Sequence, residues 1–108
     1  MHKLILEKDI EAYFTRAVEK VGGMSIKFIP DNLRGWPDRI VILPGGRLVW
    51  VELKREIDGR IEPAQMVAHE ELRRLGQRVE VVWSKKDADR LVKSFTDSPA
   101  DSPADSHR

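Results

Sequence analysis

The sequence contains no cysteine, and this absence excludes two kinds of site. There is no disulfide framework, and there is no thiolate ligand for a structural zinc ion. A reducing, cytoplasmic compartment is compatible with such a composition.

Long hydrophobic runs are also lacking. No apolar stretch approaches the roughly 18 residues that a transmembrane helix needs, so we expect no membrane partner. The N-terminal segment becomes acidic at Glu7, too early for the apolar region of a secretory signal. P-loop, dinucleotide-binding and serine-elbow motifs are missing as well, which argues against those enzyme classes.

The net charge is also small, because basic residues exceed acidic ones by only one, which gives +1 over 108 residues. Three aspartates lie near the C-terminus, where Asp-Ser-Pro-Ala occurs twice. Because this repeat has no apolar surface to offset the entropy of ordering, we expect 96–108 to be a disordered tail. The remaining residues, 1–95, suit one domain that is mildly basic. That charge permits a polyanionic partner without requiring one.

The hydrophobic pattern predicts an α/β fold with the order helix, three strands, helix, strand, helix. A central mixed sheet with helices on its faces is the natural way to bury such elements. The predicted helices cover 7–21, 63–75 and 85–95, and the predicted strands cover 24–29, 38–43, 47–54 and 78–83.

A carboxylate and an ammonium group lie on one face of the third predicted strand. Since alternate strand residues share a face, Glu52 and Lys54 point together, while Val51 and Leu53 point to the core. The pattern Glu-x-Lys is common on exposed strands, where it is usually a solvated ion pair. Whether the pair is a catalytic site or a solvated ion pair therefore depends on which residue of the preceding strand lies beside it.

The register of the hairpin determines whether Asp38 joins Glu52. A two-residue loop of Gly45 and Gly46 would pair Asp38 with Leu53, whereas a three-residue loop that includes Pro44 pairs it with Glu52. The second is favoured, because proline suits the first position of a type I turn and glycine the left-handed residue after it. Opposed side chains lie about 5 Å apart at Cβ, where two carboxylates repel unless a cation lies between them.

Mg²⁺ or Mn²⁺ is the predicted cation, because hard divalent ions prefer oxygen ligands. Lys54 beside such an ion is suited to orient or deprotonate a water molecule, or to stabilise charge on a phosphate. These functions belong to metal-assisted phosphodiester hydrolysis.

Three motifs in this order resemble a known superfamily. Gly35-Trp36-Pro37-Asp38, then Val51-Glu52-Leu53-Lys54, then Gln65 are similar to the PD-(D/E)xK nuclease pattern. The sequence more closely resembles the virus-type replication-repair nuclease (VRR-NUC) domain, over nearly all of residues 5–95. This resemblance implies a restriction-endonuclease-like core, with a metal ion held by Asp38, Glu52 and the carbonyl of Leu53.

The resemblance also implies roles for residues around that ion. Lys54 would be the catalytic lysine, and Gln65 would support the site from the start of its helix. An acidic residue of the first helix would complete the site, and both Glu7 and Glu11 are candidates because they share a helix face. Glu7 is preferred, since it lies closer to the apolar stripe of that helix.

The activity implied is that of a structure-specific DNA endonuclease acting on branched DNA such as Holliday junctions, in a bacterial or phage-infected cell. Cutting paired strands would require a two-fold homodimer. Arg34, Arg55 and Lys27 are candidates for phosphate contacts, although ordinary solubilising charge explains them equally well. Two alternatives remain open: a catalytically silent nucleic-acid-binding module on the same fold, and an interaction protein whose acidic residues are structural.

Two further residues carry expectations of their own. His69 has no second His or Cys at ligand spacing, so we expect it at the surface or in an interface. Trp50 shares a strand face with Glu52, and we expect it to pack beneath the first helix.

Overall fold

The computed structural model describes residues 7–97, and the order of its elements confirms the predicted one. The last helix includes two residues of the predicted tail, and the rest of that tail lies outside the described residues. The helices are α1 (Glu7–Lys20), α2 (Pro63–Arg74) and α3 (Lys85–Asp97), and the strands are β1 (Met24–Lys27), β2 (Arg39–Leu43), β3 (Arg47–Leu53) and β4 (Arg78–Val82).

The four strands form one mixed sheet in the order β1-β2-β3-β4. The first three strands are antiparallel neighbours, as short connections allow. β4 pairs in parallel with β3, because α2 carries the chain back along the sheet between them. None of the helices described between residues 7 and 97 has the length and hydrophobicity needed to span a bilayer.

The β2–β3 hairpin has the predicted three-residue loop. Leu43 pairs with Arg47 and Arg39 pairs with Val51, and the same register, extended by one residue, sets Asp38 opposite Glu52. Gly45 and Gly46 have φ angles of 86° and 78°, which glycine adopts without the steric penalty of a side chain. The loop therefore fixes which residues of the two strands face each other.

The core lies between one face of the sheet and the helices α1 and α3. Val49 and Val51 of β3 are buried there with Phe14 of α1 and Phe95 of α3. Because neighbouring strand residues face opposite ways, Glu52 lies on the other face, where α2 contributes Gln65. One face of the sheet therefore forms the hydrophobic core, and the opposite face carries the residues of the candidate site.

Trp50 lies on this second face, so the expectation that it packs beneath α1 is wrong. Its ring lies edge-on to Phe28 and Trp36, with centroids 5.3 Å away in both cases. Its indole N–H donates to Gln77 Oε1 at 2.9 Å. Strand periodicity showed which residues share a face, but it carried no information on which helix covers that face.

The loop before β2 lies against the beginning of α2. Gly35 has a φ of 78°, and a Cβ at this residue would lie 2.3 Å from the carbonyl oxygen of Ala64. This close approach of two backbones requires glycine. It brings the segment that ends in Asp38 next to the first turn of α2, which carries Gln65.

Candidate active site

Asp38 and Glu52 face each other where β2 begins and β3 ends. Asp38 Oδ1 accepts a hydrogen bond from the Leu53 N–H at 3.3 Å, which directs this carboxylate along the end of β3. Asp38 is half-buried, and Glu52 is only 4% exposed. The hairpin register therefore brings two carboxyl groups together where little water can reach them.

Glu52 has neighbours from α2 and from the residue that directly follows β3. Gln65 Nε2 donates to Glu52 Oε2 at 2.9 Å, while Gln65 Oε1 accepts from the Glu62 N–H at 2.9 Å. The same side chain therefore caps the start of α2 and orients the glutamate. Lys54 Nζ lies 3.8 Å from Glu52 Oε2, and the lysine side chain is only 14% exposed.

Both carboxyl groups are harder to ionise than usual. Burial raises the pKa of Glu52 to about 8; the charge of Asp38 adds to this rise, and Lys54 opposes it. Burial likewise raises the pKa of Asp38 to about 6. The hydrogen bond from the Leu53 amide lowers this pKa, and the negative charge of Glu7 raises it. Two adjacent carboxylates disfavour each other's charge, and a cation between them removes the penalty.

The donor set fits a hard divalent cation. Within residues 7–97, no three His, Cys, Asp or Glu side chains come together as a metal-binding group. Two carboxylates are nevertheless what Mg²⁺ commonly takes from a protein, with water and substrate phosphate filling its other positions. The carboxyl pair of Asp38 and Glu52, with its raised pKa values, is consistent with such an ion.

The two candidate glutamates of α1 have different surroundings. Glu11 Oε2 accepts from Arg39 Nη1 at 2.6 Å and lies 3.9 Å from Lys27 Nζ. Glu7 instead lines a pocket together with Lys54, and its charge raises the pKa of Asp38 and Glu52. The charge of Glu11 also raises the pKa of Asp38, by less than that of Glu7, while its carboxylate forms an ion pair with the buried Arg39.

The three basic residues singled out in the sequence have separate environments. Arg55 forms an ion pair with Asp58 through two hydrogen bonds. Lys27 lies beside Glu11 in a different pocket from that of Lys54. Arg34 is exposed in the loop that leads to Asp38. The structure therefore does not gather them into one basic surface.

His69 lies beside Glu52, a neighbour that the sequence reasoning missed. The expected surface location is wrong, because His69 is 3% exposed and its Nε2 lies 3.6 Å from Glu52 Oε1. Burial, followed by the charge of Arg73, lowers the pKa of His69 below its ordinary 6.5, so the ring is neutral at pH 7. The available signal was its position four residues after Gln65, which puts both side chains on one helix face.

Relatives of this chain have names that agree with the site. A protein named "Putative nuclease p44", from Acyrthosiphon pisum secondary endosymbiont phage 1, is 39% identical over 83 residues, which are 77% of this chain and 88% of the relative. A solved structure named "VRR_NUC domain" superposes with a TM-score of 0.77 at 34% identity, covering 82% of this chain and 96% of its own. Another, named "VRR_NUC domain protein", has a TM-score of 0.70 at 15% identity, covering 88% and 91%. No protein-family model matches the chain.

Proposed function

The chain belongs to the VRR-NUC family of nucleases, and from its site we propose that it is a metal-dependent, structure-specific DNA endonuclease. The observation that carries the proposal is the opposed, buried carboxyl pair of Asp38 and Glu52 beside Lys54. A structural role explains such a pair poorly, because two buried carboxyl groups with raised pKa values disfavour their own ionisation at neutral pH.

Asp38, Glu52 and the carbonyl oxygen of Leu53 would hold Mg²⁺ or Mn²⁺. The N–H and C=O of one strand residue face the same neighbouring strand, and the Leu53 N–H faces Asp38. Its carbonyl is therefore expected on the side of the carboxyl pair. When bound there, the ion would supply positive charge to the scissile phosphate and lower the pKa of a water molecule.

The chain's own residues would orient the reactants and carry charge. Gln65 holds Glu52 in one orientation, and Lys54 is close enough to stabilise negative charge on the phosphate. In the hydrolysis, water adds to phosphorus, one phosphorus–oxygen ester bond breaks, and the departing oxygen receives a proton. Glu7 faces the same pocket as Lys54 and would complete the acidic side of the site.

The substrate we propose is branched DNA such as a Holliday junction, cut by a homodimer. A domain of this size offers little surface for reading bases, so backbone shape is the more accessible signal. Arg34, which is exposed, would contact a phosphate, whereas Arg55 and Lys27 would first have to leave Asp58 and Glu11. Symmetric cutting of two strands requires two active sites, which a two-fold dimer supplies.

A cleavage panel tests this proposal. Four-way junctions, flaps, splayed arms and linear duplex are incubated with the full chain and Mg²⁺ or Mn²⁺, with chelated samples as blanks. Lys54→Ala should reduce cleavage by a factor of at least about 100, the usual contribution of a charge-stabilising group. Lys86→Ala, an exposed lysine on α3, is the matched control and should cut like the wild type.

The outcomes separate the proposal from its alternatives. Binding of junction DNA without cleavage in either metal would favour the silent binding module. Equal cleavage of every substrate would contradict the structure specificity but still support a nuclease. Undiminished cleavage by the Lys54 variant would show that Lys54 has no part in the hydrolysis.

A further inference from the structure

Two buried polar atoms have no hydrogen-bond partner among residues 7–97: Glu52 Oε1 and His69 Nε2. They lie 3.6 Å from each other, on side chains that are 5% and 4% exposed. Burying a polar atom without a partner is unfavourable, so an arrangement that pairs these two atoms is favoured.

A small movement is enough to pair them. The separation of 3.6 Å exceeds a hydrogen-bond length of roughly 3.2 Å by less than half an ångström, which a minor side-chain rotation covers. His69 and Gln65 are four residues apart on α2, so both project from one helix face toward Glu52. Gln65 already occupies one carboxylate oxygen, and the other is the one that His69 faces.

Packing does not explain a histidine here. The other buried side chains of α2 are Ala68 and Leu72, which are apolar. An apolar residue in place of His69 would fill similar space without burying a polar ring nitrogen. The imidazole therefore implies a polar function at this place, and Glu52 is the polar group it faces.

We propose that His69 is a positioning residue whose Nε2–H donates to Glu52 Oε1, so that α2 holds both oxygens of the metal-binding carboxylate. The inference rests on the proposed nuclease function and deepens it. Hydrogen bonds to a ligating carboxylate fix the direction of its remaining lone pairs, and their loss typically weakens metal binding by 10- to 100-fold. His69 itself contacts neither the ion nor the DNA in this proposal.

Calorimetric titration of the full chain with Mn²⁺ tests it. His69→Leu should weaken Mn²⁺ binding by about 10- to 100-fold, whereas His69→Gln, whose amide can donate from a similar position, should keep most of the affinity. Leu72→Ala is the control for packing, because Leu72 is also buried on α2 but has no polar atom that could bond to Glu52. It should lower the unfolding midpoint but leave the Mn²⁺ affinity of the folded protein unchanged.

Nitrogen-15 NMR of the imidazole in the wild type gives an answer independent of any variant. With Mg²⁺ bound, which leaves Glu52 ionised and able only to accept, we expect the proton on Nε2. Three results would overturn the role of His69. The first is an Nε2 without a proton in the Mg²⁺-bound protein, the second is wild-type Mn²⁺ affinity in His69→Leu, and the third is a His69→Gln variant that binds Mn²⁺ as weakly as His69→Leu. A wild type that binds neither Mn²⁺ nor Mg²⁺ would instead overturn the proposed function itself.

Discussion

Raising the pH from 6.5 to 8 should destabilise the metal-free protein, because Glu52 must then ionise inside the fold. Its pKa rises from the ordinary 4.5 to about 8 on folding. Between these values the native state binds more protons than the unfolded state, so the free energy of unfolding falls as the pH rises. The stabilising contribution is complete below pH 4.5 and is lost as the pH passes through about 8.

Above pH 6.5 the pH dependence is dominated by the last proton of the carboxyl pair, which lies mainly on Glu52. Asp38, with a pKa of about 6, is largely ionised by then. His69 has a pKa lowered from 6.5, so it acts in the opposite direction, but mainly below that pH. A difference of one bound proton changes the free energy of unfolding by about 1.4 kcal/mol per pH unit. Between pH 6.5 and 8 the free energy of unfolding therefore falls by up to about 2 kcal/mol. For a domain of this size that is a fall of roughly 10 °C in the melting temperature.

Urea denaturation in the presence of a chelator, at several pH values across this window, measures the effect. Glu52→Gln should show a flat profile, whereas the control Glu56→Gln, which removes an exposed loop carboxyl, should keep the wild-type slope. Saturating Mn²⁺ should abolish the wild-type slope, since the ion replaces the proton. A wild-type stability that stays constant or rises with pH, or an unchanged slope in Glu52→Gln, would refute the reasoning.

Three further changes have distinct expected results. Glu11→Gln should destabilise the fold by about 2 kcal/mol in urea denaturation, because Arg39 loses a charged partner, while Mn²⁺ affinity stays unchanged. Gly35→Ala should cost more than about 2 kcal/mol in the same assay, since its Cβ would collide with Ala64. Deleting Gly46 should reduce both DNA cleavage and the free energy of unfolding, because Pro44 cannot adopt the positive φ that a two-residue hairpin turn prefers, and a shifted register would turn buried side chains outward.

Each of these can fail in a specific way. A loss of Mn²⁺ binding in Glu11→Gln would make Glu11, and not only Glu7, part of the site. Wild-type stability in Gly35→Ala would mean that the two backbones are not in contact. Wild-type stability and cleavage in the Gly46 deletion would show that the site does not depend on the length of this loop.

The order of elements and the hairpin register were predictable because both depend on local patterns. Val, Ile and Leu mark β2 and β3, and the turn chemistry of the loop between them fixes the pairing of Asp38 with Glu52. Gln65 could be placed at the beginning of α2, since Pro63 marks that end of the helix. The sequence alone was sufficient for these features.

Tertiary neighbours were not predictable in the same way. His69 is buried because α2 turns that face toward Glu52. Its spacing from Gln65 shows that the two residues share a helix face, but not that this face covers Glu52. Trp50 packs on Phe28 and Trp36, which lie in other segments of the chain. The phosphate contact of Arg55 stays a prediction, although that residue pairs with Asp58. The surroundings of His69 and Trp50 depend on contacts that a local pattern does not encode.

The central claim is that Asp38 and Glu52 jointly bind one divalent cation, and calorimetric titration with Mn²⁺ tests it most directly. The wild type should bind one ion per chain with release of protons, because the raised pKa values leave the metal-free pair partly protonated near pH 7. Asp38→Asn and Glu52→Gln should each abolish that binding while remaining folded. Wild-type binding in both variants would place the ion elsewhere and contradict the account.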